Sequence, residues 1–127
     1  MNNLVIKETK TTPEINFDIS KHQLNISGRS YPENISEFYG PIFLWIEEYL
    51  EKVNDDQPVS VNIDLSYFNS TSSKVLMDMF DLFDESVDDG KTITLNWIYD
   101  SDDPDSLEFG EEFQDNLENI KMSFTSK

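Results

Sequence analysis

Val59-Ser60-Val61-Asn62-Ile63-Asp64-Leu65-Ser66-Tyr67 alternates apolar and polar side chains without a break, and Asn69-Ser70-Thr71-Ser72-Ser73 follows almost at once. Alternation of period two is the pattern of a strand with one buried face. Val75, Leu76, Met79, Leu82, Phe83 and Val87 then recur at the spacing of an amphipathic helix, predicted over 71–88. Asp88-Asp89-Gly90 ends it, with Gly90 as the left-handed residue past the last turn. Thr92 to Tyr99 alternates again through Ile93, Leu95, Trp97 and Tyr99. Strand, helix and strand in succession make a crossover unit, which joins parallel neighbours with right-handed sense.

Outward from this unit the pattern continues. Upstream, Ile42, Trp45, Ile46, Tyr49, Leu50 and Val53 predict a helix over 41–53, with Pro41 in its first turn and Ile35 to Tyr39 as an extra turn ahead of it. Residues 14–19 and 22–27 read as a hairpin of half-buried strands turning at Ser20-Lys21, and a short strand is placed at 3–7. Gly28 to Asn34 reads as a loop with a proline turn. Downstream, Asp102-Asp103-Pro104 opens a third helix through Leu107, Phe109, Phe113 and Leu117, weakened by Gly110. Ile120, Met122 and Phe124 suggest a last strand. The fold class expected is α/β, a mixed sheet of four to six strands with helices mainly on one side, in a single domain over 1–127.

Composition narrows the function. A chain of 127 residues is long enough for a hydrophobic core, and the absence of cysteine excludes disulfides, thiolate metal sites and cysteine nucleophiles. The formal net charge of −17 repels phosphate backbones and anionic headgroups, so neither nucleic acid nor membrane is an expected partner. Leu4-Val5-Ile6 is too short for a signal-peptide core, and no stretch approaches the ~20 apolar residues of a membrane span. A cytoplasmic protein is expected. The acidic surface serves solubility or meets a basic partner; 13% aromatic residues and regular periodicity distinguish the chain from a disordered acidic tail.

No catalytic constellation emerges. The one histidine, His22, is read as a solvent-facing strand residue without a nucleophile or orienting group. Gly28, Gly40, Gly90 and Gly110 lie too far apart for a phosphate cradle. Asp78, Asp81, Glu85 and Asp88 fall at helical spacing opposite the apolar stripe, which describes a solvated face better than a Mg²⁺ site. Met79 and Phe83 belong to the core stripe, whereas Phe80 lies on its flank and is a candidate docking residue. No cofactor and no metal is expected. The hydroxyl run 70–73 supplies a helix cap, and a helix N-terminus also tolerates a phosphate through its free N–H groups and dipole.

Three segments together resemble the SiaC family of bacterial regulatory phosphoproteins: Ser30-Tyr31-Pro32-Glu33-Asn34, Tyr67-Phe68-Asn69-Ser70-Thr71-Ser72-Ser73-Lys74, and Met77-Asp78-Met79-Phe80-Asp81. Leu95-Asn96-Trp97-Ile98-Tyr99-Asp100 and Glu111-Glu112-Phe113 also fit, and the similarity runs from about Thr12 to near the C-terminus. The resemblance implies a STAS-like α/β fold, as in anti-sigma factor antagonists, and a non-enzymatic regulator. It implies a phosphoacceptor directly after the asparagine, a threonine in the family and Ser70 here, with Thr71 as the alternative acceptor. It implies a Ser/Thr protein kinase and a metal-dependent phosphatase that set the state, and an unphosphorylated form that binds and activates a diguanylate cyclase, raising cyclic di-GMP and favouring biofilm. The candidate partner-binding residues are then Asn69, Ser70, Thr71, Ser72, Lys74 and Phe80, with Tyr31, Pro32, Glu33 and Asn34. The alternative function is an anti-sigma factor antagonist acting by partner capture.

Overall fold

The alternating run becomes strand β4 (Pro58–Phe68) in the computed structural model, which describes all 127 residues. Around it, in chain order, are β1 (Leu4–Ile6), β2 (Glu14–Asp18), β3 (Gln23–Ser30), α1 (Ile35–Lys52), α2 (Ser70–Asp88), β5 (Thr92–Tyr99), α3 (Pro104–Asp115) and β6 (Ser123–Ser126). The strands form one six-stranded sheet in sequence order. β1, β2 and β3 pair antiparallel, while β3, β4, β5 and β6 pair parallel. Each crossover advances one strand in the same direction, so right-handed connections bring all three helices to one face.

Burial agrees with that layering. Val59, Val61, Ile63 and Leu65 of β4 are buried with Leu24 and Ile26 of β3 and Leu95 and Trp97 of β5. Ile42, Ile46 and Tyr49 of α1, and Leu76, Met79 and Phe83 of α2, close the core from the helical side. The opposite face of the sheet is polar. Asn25, Asn62 and Asn96 stand in register across three strands, Asn62 donating to Asn25 at 2.8 Å and Asn96 to Asn62 at 2.7 Å. Carboxamides that bond one another sideways satisfy a sheet face without a covering layer.

Five expectations give way to the structure. β3 continues through Gly28–Ser30, so the loop starts only at Tyr31. α1 starts at Ile35 under an Asn34 cap that accepts from the Glu37 N–H at 3.1 Å, and Pro41 lies inside the helix on its exposed side. The β2–β3 turn spans residues 19–22, and His22 sits in it at φ 52° rather than in a strand. Its Nδ1 lies 2.6 Å from the Tyr49 hydroxyl, so it is half-buried, not solvent-facing. Phe80 is 0% exposed, edge-on to Trp97 and Phe113, because α3 covers what seemed from the helix alone to be a flank.

The fifth is the most consequential. The register of β3 and β4 slips by one residue near the end: Gly28 pairs with Leu65, but Arg29 pairs with Tyr67. Ser66 is the extra residue, and its hydroxyl donates to the Gly28 carbonyl at 3.2 Å. One residue of slip exchanges the faces of everything beyond it. Tyr67 therefore points out, 53% exposed, while Phe68 packs against Trp97 and Phe113.

Candidate functional site

The carboxyl ends of parallel strands and the helices that follow them share one edge of the sheet. Here that edge gathers the loop after β3, the start of α2 and the start of α3. The Asn69 N–H donates to the Ser30 carbonyl at 3.2 Å, which stitches the segment 30–34 to the start of α2. The Tyr31 N–H donates to the Thr11 carbonyl at 2.8 Å, anchoring the loop from its other side.

Asn69 is the cap of α2. Its extended backbone (φ −88°, ψ 177°) turns the side-chain oxygen onto the Ser72 N–H at 2.9 Å. Ser70 and Thr71 are the first two helical residues, and both are exposed. Their N–H groups precede the first intrahelical donor, the Ser73 N–H that bonds the Asn69 carbonyl, so the helix end retains its free donors and positive dipole. Lys74, one turn beyond Ser70, is exposed and outside the three ion pairs of the protein. Ser72 is different. It is 0% exposed and its hydroxyl lies 2.8 Å from that of Ser30, so it belongs to the interior and not to a partner surface.

Around Ser70 the surface is aromatic on two sides. Tyr31 and Tyr67 meet edge to face at 5.5 Å beside Arg29, the one arginine of the chain. On the other side a groove between α2 and α3 is lined by Ser70, Lys74, Met77, Phe109, Glu112 and Asn116. Phe109 is 45% exposed and packs its ring 5.2 Å from Phe68. Aromatic residues and arginine are enriched in protein interfaces relative to the rest of the surface. Pro32 is half-buried, and Glu33 and Asn34 are exposed on the same edge. Of the candidates, Phe80 and Ser72 are thus withdrawn from the surface, and the others remain at least partly accessible along this edge.

Tyr67, Phe109 and Arg29 escaped the sequence reading as site residues. Tyr67 continued an alternation that a bulge interrupts, and Phe109 had the spacing of the buried stripe. Arg29 is the lone arginine in a chain of 26 acidic residues, a signal visible from composition. Gly110 also acquires a reason. A Cβ there would lie 2.6 Å from Cδ1 of the buried Trp97, so glycine lets α3 seat directly on that ring.

The groups whose titration is shifted lie away from this edge or serve structure. Burial pushes the Tyr49 phenol up to about 12 and raises Tyr39 as well. Partial desolvation raises the Asp81 carboxyl, helped by the like charges of Asp78, Asp84 and Glu85. Burial pushes Asp84 up too, but N–H donors from Ile120, Asn119 and Glu118 outweigh it and hold the carboxyl below its ordinary value. No three histidine, aspartate or glutamate side chains come together in a metal-holding group. No helix is long and apolar enough to cross a membrane.

The fold and edge describe a small α/β domain that presents hydroxyls at a helix N-terminus among exposed aromatics. Comparison with known proteins makes this specific. The model of the SiaC family regulatory phosphoproteins matches residues 6–127, and the chain belongs to that family. It is 35% identical over 115 residues to an uncharacterized protein of Pseudomonas aeruginosa (strain UCBPP-PA14), covering 91% of this chain and 90% of the relative. Its structure is similar to SiaC of Pseudomonas aeruginosa, with a TM-score of 0.89, 31% identity and full coverage of both chains at 100%. It also resembles a chain in the crystal structure of the diguanylate cyclase SiaD in complex with its activator SiaC from Pseudomonas aeruginosa. That match has a TM-score of 0.91 and 31% identity, covering 98% of this chain and 99% of the other.

Proposed function

We propose that this protein activates a diguanylate cyclase by binding it through the edge around Ser70, and that phosphorylation of Ser70 switches the binding off. The observation that carries the reading is an exposed hydroxyl at the first position of α2, flanked by exposed aromatics, in a chain structurally matched to one from a cyclase–activator complex. The protein itself acts by contact and not by turnover. A Ser/Thr protein kinase and a metal-dependent phosphatase set its state.

The physical basis is local. A phosphate adds about −1.5 to −2 charges at the start of the helix. The free amides and dipole there favour an anion, and Lys74 lies at i+4, so the fold retains its stability. A partner that covers Ser70 with apolar or acidic groups would instead bury an unpaired charge, at a cost of several kcal/mol. A loss of ~3 kcal/mol weakens binding more than a hundredfold. Co-expression with the cognate kinase, followed by phosphopeptide mapping, should find the label on Ser70, and Ser70→Asp bait should lose the cyclase that Ser70→Ala bait retains. A label found only outside residues 70–71, or equal capture by both baits, would reject the switch.

A further inference from the structure

Ser30, Tyr39 and Ser72 come from three elements, β3, α1 and α2, and meet in the interior at 0%, 2% and 0% exposure. The Ser30 hydroxyl lies 2.5 Å from the Tyr39 hydroxyl and 2.8 Å from that of Ser72. Ser30 is the hub, because both contacts pass through its oxygen. Neither the cap of α2 nor the packing of its apolar stripe requires a hydroxyl at any of these positions.

We infer that Ser30 is a positioning residue that fixes the rotation of the first turn of α2, and thereby decides which hydroxyl of the run 70–73 is offered to a modifying enzyme. The geometry follows from the helix. Successive residues turn by about 100°, so a Ser72 hydroxyl held inward sets Ser70 about 200° away, facing solvent. Apolar contacts alone are non-directional and leave a terminal turn free to roll or fray. A hydrogen bond from a strand end does not. Four adjacent hydroxyls would otherwise be near-equivalent acceptors; the buried contact removes Ser72 from that choice. The Asn69 cap on the Ser72 N–H and the Asn69 N–H bond to the Ser30 carbonyl hold the same turn through the backbone. Ser30 therefore acts twice, through its carbonyl and its side chain.

The acceptor part of this inference rests on the switch proposed above; the positioning part does not. The test compares Ser30→Ala, Tyr39→Phe and Ser72→Ala with wild type, each checked by circular dichroism. Amide hydrogen exchange is read at residues 70–74 against the centre of β4, and phosphopeptides are mapped after kinase treatment. Ser30→Ala strands two buried hydroxyls and should speed exchange in the first turn about tenfold while β4 stays protected. Tyr39→Phe and Ser72→Ala each break one contact and should have smaller effects. Label should spread from Ser70 to Ser72 in Ser30→Ala, a change that a merely stabilising residue would not produce. Should Ser30→Ala not fold, Tyr39→Phe carries the test with the same direction at reduced size. Unchanged exchange at 70–74, or exchange rising equally in β4, overturns the positioning role. A wild type unlabelled at Ser70 refutes the switch, and exchange alone then decides the positioning.

Discussion

Asp84 is a carboxylate on α2 with 8% exposure and no cationic partner, and it makes the sharpest stability prediction. It accepts from the N–H groups of Ile120 at 2.7 Å, Asn119 at 2.9 Å and Glu118 at 3.2 Å, and from the Asn119 side chain at 3.4 Å. These bonds hold the segment between α3 and β6 against α2. Asp84→Asn keeps one oxygen, which can serve Ile120 and Asn119, but turns an NH₂ toward the remaining two donors. Hydrogen bonds to a charged acceptor contribute about 1.5–3 kcal/mol each, and the two displaced ones are long, so their loss comes to about 3 kcal/mol. Relief of the buried charge returns part of this, leaving a net loss of about 2 kcal/mol. For a domain of this size that lowers Tm by roughly 6–10 °C.

The pH dependence of the Asp84 contribution has a definite sign. Its folded pKa is depressed, so its contribution is complete above the unfolded value of about 3.9 and is lost as pH falls through the lower folded value. Thermal unfolding of wild type and Asp84→Asn at pH 7 should show the full gap, which narrows once the pH drops below about 4. Equal Tm values at pH 7, or a gap that widens on acidification, would refute the reasoning.

Other perturbations follow from the same contacts. Gly110→Ala drives a methyl into Trp97 and should cost about 1–3 kcal/mol in denaturant titration, less the ~1 kcal/mol that alanine returns in helix propensity. Asp81→Asn should do the reverse of Asp84→Asn: its raised carboxyl weakens the fold as pH climbs above about 3.9, so the variant should gain Tm at pH 7 and match wild type in acid. Asn69→Ala removes the cap of α2 and should cost about 1 kcal/mol, with faster exchange confined to its first turn. Tyr67→Ala should cost about 1 kcal/mol of stability, the half-exposed ring losing its edge contact with Tyr31, yet weaken cyclase binding at least tenfold in a titration.

The parts of the fold that were legible are those where periodicity and burial coincide. β4, β5 and α2 were found nearly to the residue because their apolar period matches one buried face. Element order and crossovers then followed from short connections. The errors arise where one-dimensional spacing reports neither what packs against an element nor local backbone irregularity. Phe80 was placed on a flank because α3 is invisible from α2, and Tyr67 was placed inside because a bulge leaves no mark in an alternating pattern. Pro41 was read as a first-turn residue, although a proline on an exposed helix side is tolerated where the freed carbonyl meets water. His22 was assigned to a strand, whereas the turn there demands a left-handed residue. At the site, the hydroxyl run marks the start of α2, but the cap is the Asn69 carboxamide rather than a hydroxyl, and Ser70 or Thr71 as acceptor rests on the family resemblance. The aromatic rim of Tyr67 and Phe109, and the hydroxyl contact of Ser30 with Ser72, depend on elements distant in sequence.

The central proposal is that one hydroxyl at the start of α2 controls a cyclase. Its most direct test is the rate of cyclic di-GMP synthesis by a purified diguanylate cyclase from the same organism, titrated with this protein before and after stoichiometric phosphorylation at Ser70. The unmodified protein should raise the rate in a saturable way. The phosphorylated protein should need at least a hundredfold higher concentration, and phosphatase treatment should restore the original curve. Superimposable curves before and after phosphorylation, with the modification verified at Ser70, would contradict it.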